Sequence, residues 1–243
     1  MITNTYRIAE RLIAVHSIYP DVHTYCAAYR VEGEPDFSVT VSQADIEYER
    51  RMTARTDAQS GLPVRTLPEP YLEKLTVYRA IAQQMIRWDT VLFHGSAIAV
   101  DGQCYLFTAK SGTGKSTHSA LWREMLGDRA VMVNDDKPLL RIAESGVTVF
   151  GTPYSGVYGL NTNIAVPLKA MCILTRAENN HIERISGREA YPMLLQQVYR
   201  PSDPENMKRT VALVDLLMKQ TAFYRLGCNM EREAAEIAYA AMR

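Results

Sequence analysis

Apolar and polar residues alternate along Phe37-Ser-Val-Thr-Val-Ser42, the period-two pattern of a strand with one buried face. Residues 5–15 and 23–31 are similarly β-rich, and Pro20-Asp21 and Gly33-Glu34-Pro35 mark turns between the three segments. They predict an antiparallel meander. Residues 43–70 are charged and carry Gly61, Pro63, Pro68 and Pro70, the composition of a mobile connector. Over 71–88 the apolar period changes to that of a helix, with Leu75, Tyr78, Ala82, Met85 and Ile86 forming one stripe. Two β runs follow, 91–100 and 103–108, separated only by Asp101-Gly102, the signal of a type I′ hairpin. A helix over 117–126 ends at Gly127, and 129–134 reads as a buried strand. Beyond it lie a hairpin (138–142 and 147–150), a Gly- and Asn-rich loop over 151–167, and a strand over 170–174. Helices over 187–199 and 204–219, a strand over 222–226 and a helix over 230–243 complete the chain. The succession predicts an α/β fold in two parts: a β-rich segment, 1–70, forming an extension or small lobe, and a core, 71–243.

Candidate chemistry concentrates between residues 91 and 136. Ala109-Lys-Ser-Gly-Thr-Gly-Lys-Ser116 fits the phosphate-loop (P-loop) pattern, with alanine in place of the commoner first glycine. A strand precedes it and a helix follows. Ser111, Gly112, Thr113, Gly114, Lys115, Ser116 and Thr117 are therefore the expected nucleotide-binding residues. Backbone N–H groups would wrap the phosphates, Lys115 would reach the β- and γ-phosphates, and the Ser116 hydroxyl would sit on magnesium. If Val100 pairs with Gln103 and no bulge intervenes, His94 lies opposite Ala109, beside that loop. Asp135-Asp136 end the next strand, where one carboxylate can help hold magnesium and the other can accept a proton from an attacking hydroxyl. Tyr154, Asn161 and Asn163, on the loop after the hairpin, are candidates to face a substrate.

His94-Gly95 on a hairpin strand, the loop Ala109 to Ser116 and the Asp135-Asp136 pair, in that order, resemble the catalytic domain of HPr kinase/phosphorylase. That family shares its nucleotide-binding core with PEP carboxykinases. The later Phe150-Gly-Thr-Pro-Tyr-Ser-Gly156 and Val166-Pro-Leu-Lys169 resemble a divergent branch of HPr-kinase-like proteins, several of which accompany peptide-modification gene clusters. The resemblance covers roughly residues 91–174. It implies a mixed sheet around a P-loop, of the type found in the HPr kinase C-terminal domain and the PEP carboxykinase core. It also implies ATP and Mg2+, and a serine of a peptide or small protein as phosphate acceptor. Asp135 is implied as the base that activates the serine, Asp136 and Ser116 as metal contacts, and His94 as a neighbour of the transferred phosphate. By the same analogy Lys169 is a candidate to touch phosphate. Two features depart from the family: 150–156 carries no carboxylate where a glutamate is used for metal, and the usual N-terminal regulatory domain is not recognised.

The bulk composition changes little. With 47% apolar and 22% charged residues the chain is ordinary for a globular protein. Its formal net charge of zero and lack of basic runs speak against nucleic acid or an anionic membrane surface as partner. No bilayer-length apolar run and no signal peptide are found, and Cys26, Cys104, Cys172 and Cys228 lack metal-site or disulfide spacing, so a cytoplasmic protein with free thiols is expected. Homo-oligomerisation is left open. Two other functions compete with a serine kinase: a nucleotide sensor in which the aspartates hold magnesium without phosphoryl transfer, and a carboxykinase acting on a small acid. The latter calls for an arginine-lined pocket and a second metal site, and the sequence shows neither plainly.

Overall fold

The computed structural model describes residues 1–243 except Ser60, Leu62 and Val157, and the side chain of Gln59. The chain divides into two compact units, Met1–Gln84 and Met85–Arg243. The division follows the helix that the sequence reading, which splits at residue 70, places with the core.

In the first unit the run 5–15 is two strands. β1 (Ile2–Ile8) and β2 (Arg11–Ser17) pair antiparallel around Ala9-Glu10, whose φ values of 48° and 65° make a tight turn without glycine. No Asn-Gly or Asp-Gly marks that turn, so the sequence reads straight through it. β3 (Phe37–Thr40) pairs parallel with β2, which excludes the expected antiparallel meander. Residues 23–31 are not a strand either. α1 (Asp21–Tyr25) and a 3-10 turn at Ala27–Tyr29 replace it. His23 bridges the Tyr6 hydroxyl at 2.6 Å and Ser17 Oγ at 2.8 Å. Most of the supposed connector is helix α2 (Gln43–Gln59), opened by reciprocal Ser42 and Asp45 side-chain bonds. Its polar surface is held to α3 (Glu69–Met85) by Arg79 forking onto Glu49, at 2.7 and 2.9 Å. A helix held by ion pairs shows little apolar period, hence the error. Within the expected connector, Ser60 and Leu62 lie outside the described residues.

The second unit is built on a mixed sheet of nine strands among the described residues. The run 91–100 is broken into β4 (Thr90–Leu92) and β5 (Ser96–Val100), and β5 pairs antiparallel with β6 (Gln103–Thr108) around Asp101-Gly102 at φ 50° and 78°. This is the expected I′ hairpin. α4 (Lys115–Leu126) leads to β7 (Ala130–Asn134), which pairs antiparallel with β5 and so runs in the direction of β6. The hairpin β8 (Leu139–Ala143) and β9 (Gly146–Phe150) leads through a loop to β10 (Ala165–Arg176), parallel to β6. β11 (His181–Ile185), α5 (Gly187–Gln197), α6 (Pro204–Gln220), β12 (Ala222–Cys228) and α7 (Arg232–Met242) follow. β12 is parallel to β10 and carries β11 antiparallel at its other side, an edge strand that the sequence reading misses.

β6 is buried on both faces. Cys104 and Leu106 join Leu194, Leu213 and Leu217 of α5 and α6. Tyr105 and Phe107 join Trp122 of α4 and Ala235 and Ala238 of α7. Two-sided burial explains why β6 reads as a continuous apolar run rather than an alternating one.

Candidate functional site

Residues 109–114 join β6 to α4 at the end of the sheet where β6, β7 and β10 all have their C-termini. Gly112 (φ 75°) and Gly114 (φ 123°) occupy backbone conformations that other residues adopt only under strain. The helix is fixed beneath them by packing. Trp122 is fully buried, its ring centroid 5.1 Å from that of Tyr105, 5.0 Å from Phe107 and 5.4 Å from Tyr239, contacts worth about 0.5–1.5 kcal/mol each. Ser119 Oγ donates to the Lys115 carbonyl and lies 2.6 Å from Ser96 Oγ, tying the first turn of α4 to β5. Lys115 is 9% exposed and its ammonium donates to the Ala109 carbonyl at 3.4 Å, back across the loop. Burial pushes its pKa down, and the charge of Asp136 offsets part of that shift. Ser111, Ser116 and Thr117 are exposed, and Thr113 is half-buried.

β7 delivers Asp135 and Asp136 to the same end, and the two differ. Asp135 is 5% exposed; its Oδ1 accepts from the Gly156 N–H at 2.5 Å and its Oδ2 from the Leu160 N–H at 3.5 Å. Burial pushes its carboxyl up despite those bonds. Asp136 Oδ1 is 3.2 Å from His94 Nε2, and its Oδ2 is 3.0 Å from Lys137 Nζ. Burial alone would raise its pKa, but the bonds to His94 and Lys137 hold it well below the usual carboxylate range.

His94 sits in the break between β4 and β5. Its backbone is strung between two segments: the His94 N–H donates to the Gln197 carbonyl and the Gly95 N–H to the Asp136 carbonyl. The register of β5 and β6 puts Ser96 opposite Phe107 and, extrapolated, His94 opposite Ala109, although the ladder stops at Ser96. Thr108 Oγ1 donates to the His94 carbonyl at 3.0 Å. The ring lies between Asp136 and Gln197, whose Oε1 is 2.7 Å from Nδ1. Both ring nitrogens thus face oxygen, and a proton on each would satisfy both contacts.

Three supporting residues escape the sequence reading. Asn134 is fully buried; its Oδ1 accepts from the backbone N–H groups of Asp136 (2.9 Å) and Lys137 (2.6 Å), the Asx-turn geometry that turns the carboxylates out of the strand. Its amide donates to the Thr152 carbonyl and hydroxyl, which pins the loop after β9. Asn-Asp-Asp is itself a turn signal, so this residue was findable. Gln197 comes from α5, about a hundred residues away along the chain, and no local pattern betrays it. Arg176, last in β10, donates from Nη2 to the Gly112 carbonyl at 2.5 Å and becomes a neighbour of the loop only through strand pairing.

The other candidates differ in their surroundings. Tyr154 is 3% exposed and packs inward rather than facing a substrate, and Asn161 spends its amide on Ser155 Oγ; Asn163 is exposed. The loop closes over Asp135 instead, and a Cβ on Gly151 would stand 1.8 Å from the Thr162 carbonyl oxygen, so only glycine fits there. Val157 lies outside the described residues. Lys169 is at the wrong end of the sheet: its neighbour Leu168 pairs with Cys104, five residues before the loop, roughly 17 Å along the strand.

On the side of the loop away from Asp136 lies a cavity of about 510 Å³, lined by Gly112, Thr117, His118, Arg176, Ala177 and Met230 among others. His118 is 2% exposed; its Nε2 accepts from Trp122 Nε1 at 3.0 Å, and Nδ1 has no partner. Burial pushes its pKa down to about 4. The folded protein therefore refuses a proton that the unfolded chain takes near pH 6.5. The stabilisation is complete above that pH and is lost as pH falls towards 4. Between pH 7 and pH 5 this group alone should cost about 2 kcal/mol, measured by urea unfolding at both values, and His118→Gln should flatten the difference. An undiminished slope in the variant would assign the acid sensitivity elsewhere.

No group of three or more His, Cys, Asp or Glu able to hold a metal by itself occurs among the described residues. Magnesium does not require one, since it binds through one or two carboxylates together with substrate phosphates. The hard-oxygen pair Asp136 and Ser116 fits that chemistry. No helix among the described residues is long and apolar enough to cross a membrane, and all four cysteines are free.

No protein-family model matches the chain, and no curated protein matches it. Among solved structures, the HPr(Ser) kinase/phosphatase from Coxiella burnetii aligns with 62% of this chain and 97% of its own, at 11% identity and a TM-score of 0.34. At that level the likeness carries no argument, and the reading of the site rests on its own residues within an α/β fold.

Proposed function

We propose that the protein binds a nucleoside triphosphate, ATP by the resemblance above, on the loop 109–116 and transfers its terminal phosphoryl group to a hydroxyl. One observation carries this reading. The strand-end carboxylate of Asp136 lies against His94 on one side and within the field of the buried Lys115 on the other. A loop of this sequence beside a carboxylate–imidazole pair has both parts that phosphoryl transfer needs: a cradle of N–H groups with a cation for the phosphates, and a proton acceptor for the incoming hydroxyl. The loop N–H groups and Lys115 hold the triphosphate. Asp136 takes the hydroxyl proton as the new O–P bond forms and the bond from phosphorus to the β-phosphate oxygen breaks, leaving a nucleoside diphosphate and a phosphoester. His94, with Nε2 3.2 Å from Asp136 Oδ1, orients that carboxylate. Magnesium, held by the Ser116 hydroxyl together with the phosphates, would supply charge neutralisation on the phosphate oxygens.

Asp135 is the residue that the family resemblance implies as base, yet it is 5% exposed and its oxygens accept from backbone N–H groups of the loop after β9, whereas Asp136 is more open and faces only the side chains of His94 and Lys137. Asp136 is the better placed of the two. The resemblance also supports a serine of a peptide or small protein as acceptor, and the free thiols suit a reducing compartment. Calorimetry with Mg·ATP, followed by transfer from γ-labelled ATP to serine-containing products of neighbouring genes, tests the proposal. Binding and a labelled serine are expected. Absence of ATP binding would overturn it, and binding with no labelled acceptor would favour the sensor.

A further inference from the structure

β6, β10 and β12 run parallel and open together. Thr108 pairs with Ile173, and three residues further along β10, Arg176 pairs with Cys228. In open α/β sheets the C-terminal ends of parallel strands form the ligand crevice. Here the crevice has two halves on either side of the loop. Asp136 and His94 stand on the β7 and β5 side. The cavity of about 510 Å³ stands on the β10 and β12 side, a volume within the usual range for small-molecule sites.

The cavity is built rather than incidental. Arg176 clasps the Gly112 carbonyl across its mouth, and the Ala177 N–H donates to the Cys228 carbonyl at 3.0 Å to extend the floor. Asn229 is consumed in shaping the rim: it accepts from the Glu231 N–H and donates to the Glu178 carbonyl. Met230, by contrast, is left 78% exposed at the edge, a large apolar side chain covered by nothing in the free protein. In the wall, His118 keeps Nδ1 without a partner, and because Nε2 accepts from Trp122 the neutral ring carries its proton on Nδ1. A mostly apolar cavity with a spare buried donor, adjoining a phosphate cradle, has the features that a nucleoside requires.

We propose that this cavity receives the nucleoside, with the base against Met230 and Ala177 and the sugar towards His118. The phosphate chain then crosses the loop so that its terminal phosphoryl group reaches Asp136 and His94. The inference rests on the proposed nucleotide loop and adds the direction in which the nucleotide lies. It is tested by titrating wild type, Ala177→Trp and Met230→Ser with Mg·ATP and with Mg·tripolyphosphate, which occupies the loop without a nucleoside. Wild type should bind ATP more tightly than tripolyphosphate. Ala177→Trp, which fills the cavity, should weaken ATP about tenfold or more, and Met230→Ser, at an exposed position that cannot upset folding, about fivefold. Tripolyphosphate affinity should stay within about twofold of wild type in both. Unchanged ATP affinity in both variants, while tripolyphosphate still binds, would overturn the cavity assignment and leave the loop standing. If wild type binds neither ligand, the loop reading falls, and this inference with it.

Discussion

Asp136→Asn should lower phosphoryl transfer by about two to four orders of magnitude while the protein stays folded and still binds ATP. The substitution keeps the shape of the side chain and its contact with His94 but cannot take a proton. It also removes the negative charge that His94 and Lys137 stabilise. Asp135→Asn should behave differently. Its carboxyl is buried with a raised pKa and works as an acceptor for the Gly156 and Leu160 N–H groups. An amide oxygen can keep one of those bonds, so the loop after β9 should loosen while the rate per folded molecule falls much less. Single-turnover transfer with each variant, alongside urea unfolding, separates the two roles. If Asp135→Asn abolishes transfer and Asp136→Asn spares it, the base is Asp135, as the family resemblance implies.

The second large effect falls on binding. Lys115→Ala should weaken Mg·ATP by about 10- to 150-fold, the loss of a charge-assisted bond of about 1.5–3 kcal/mol. Unusually for a buried residue, its removal should not destabilise the free protein much. The ammonium is desolvated, its pKa is pushed down by burial, and its contact with the Ala109 carbonyl is long, at 3.4 Å. It is held ready for a ligand more than it supports the fold. Calorimetry and thermal unfolding of the same variant check both halves. A marked fall in melting temperature with unchanged ATP affinity would make Lys115 structural and remove the main support for the nucleotide loop.

Some of this was legible in the chain because the signals are local. Asp101-Gly102 demands positive φ at two successive positions, and that one turn fixes the register of β5 on β6. Glycines at 112 and 114 and the apolar face of α4 place a tight loop before a helix. β7 ends at Asn134, and Asp135-Asp136 follow it at the loop end of the sheet. The local signals failed where pairing is non-local or an element is polar. The Ala9-Glu10 turn has no glycine to announce it, α2 is stabilised by ion pairs more than by an apolar stripe, and the parallel partner of β2 comes from beyond α1.

The sequence by itself determined the loop, its strand and helix, and the presence of His94 and two aspartates near it, because turn geometry and periodicity act over a few residues. Only the tertiary structure decided what each of these groups faces. Asp135 is turned into backbone N–H groups from a loop some twenty residues downstream, and Asp136 onto His94. Gln197 reaches His94 from α5, and Arg176 reaches Gly112 because β10 and β6 run side by side. The same pairing carries Lys169 away from the loop. Side-chain partners across a sheet depend on register and burial between segments far apart in the chain, and no short stretch of sequence encodes them.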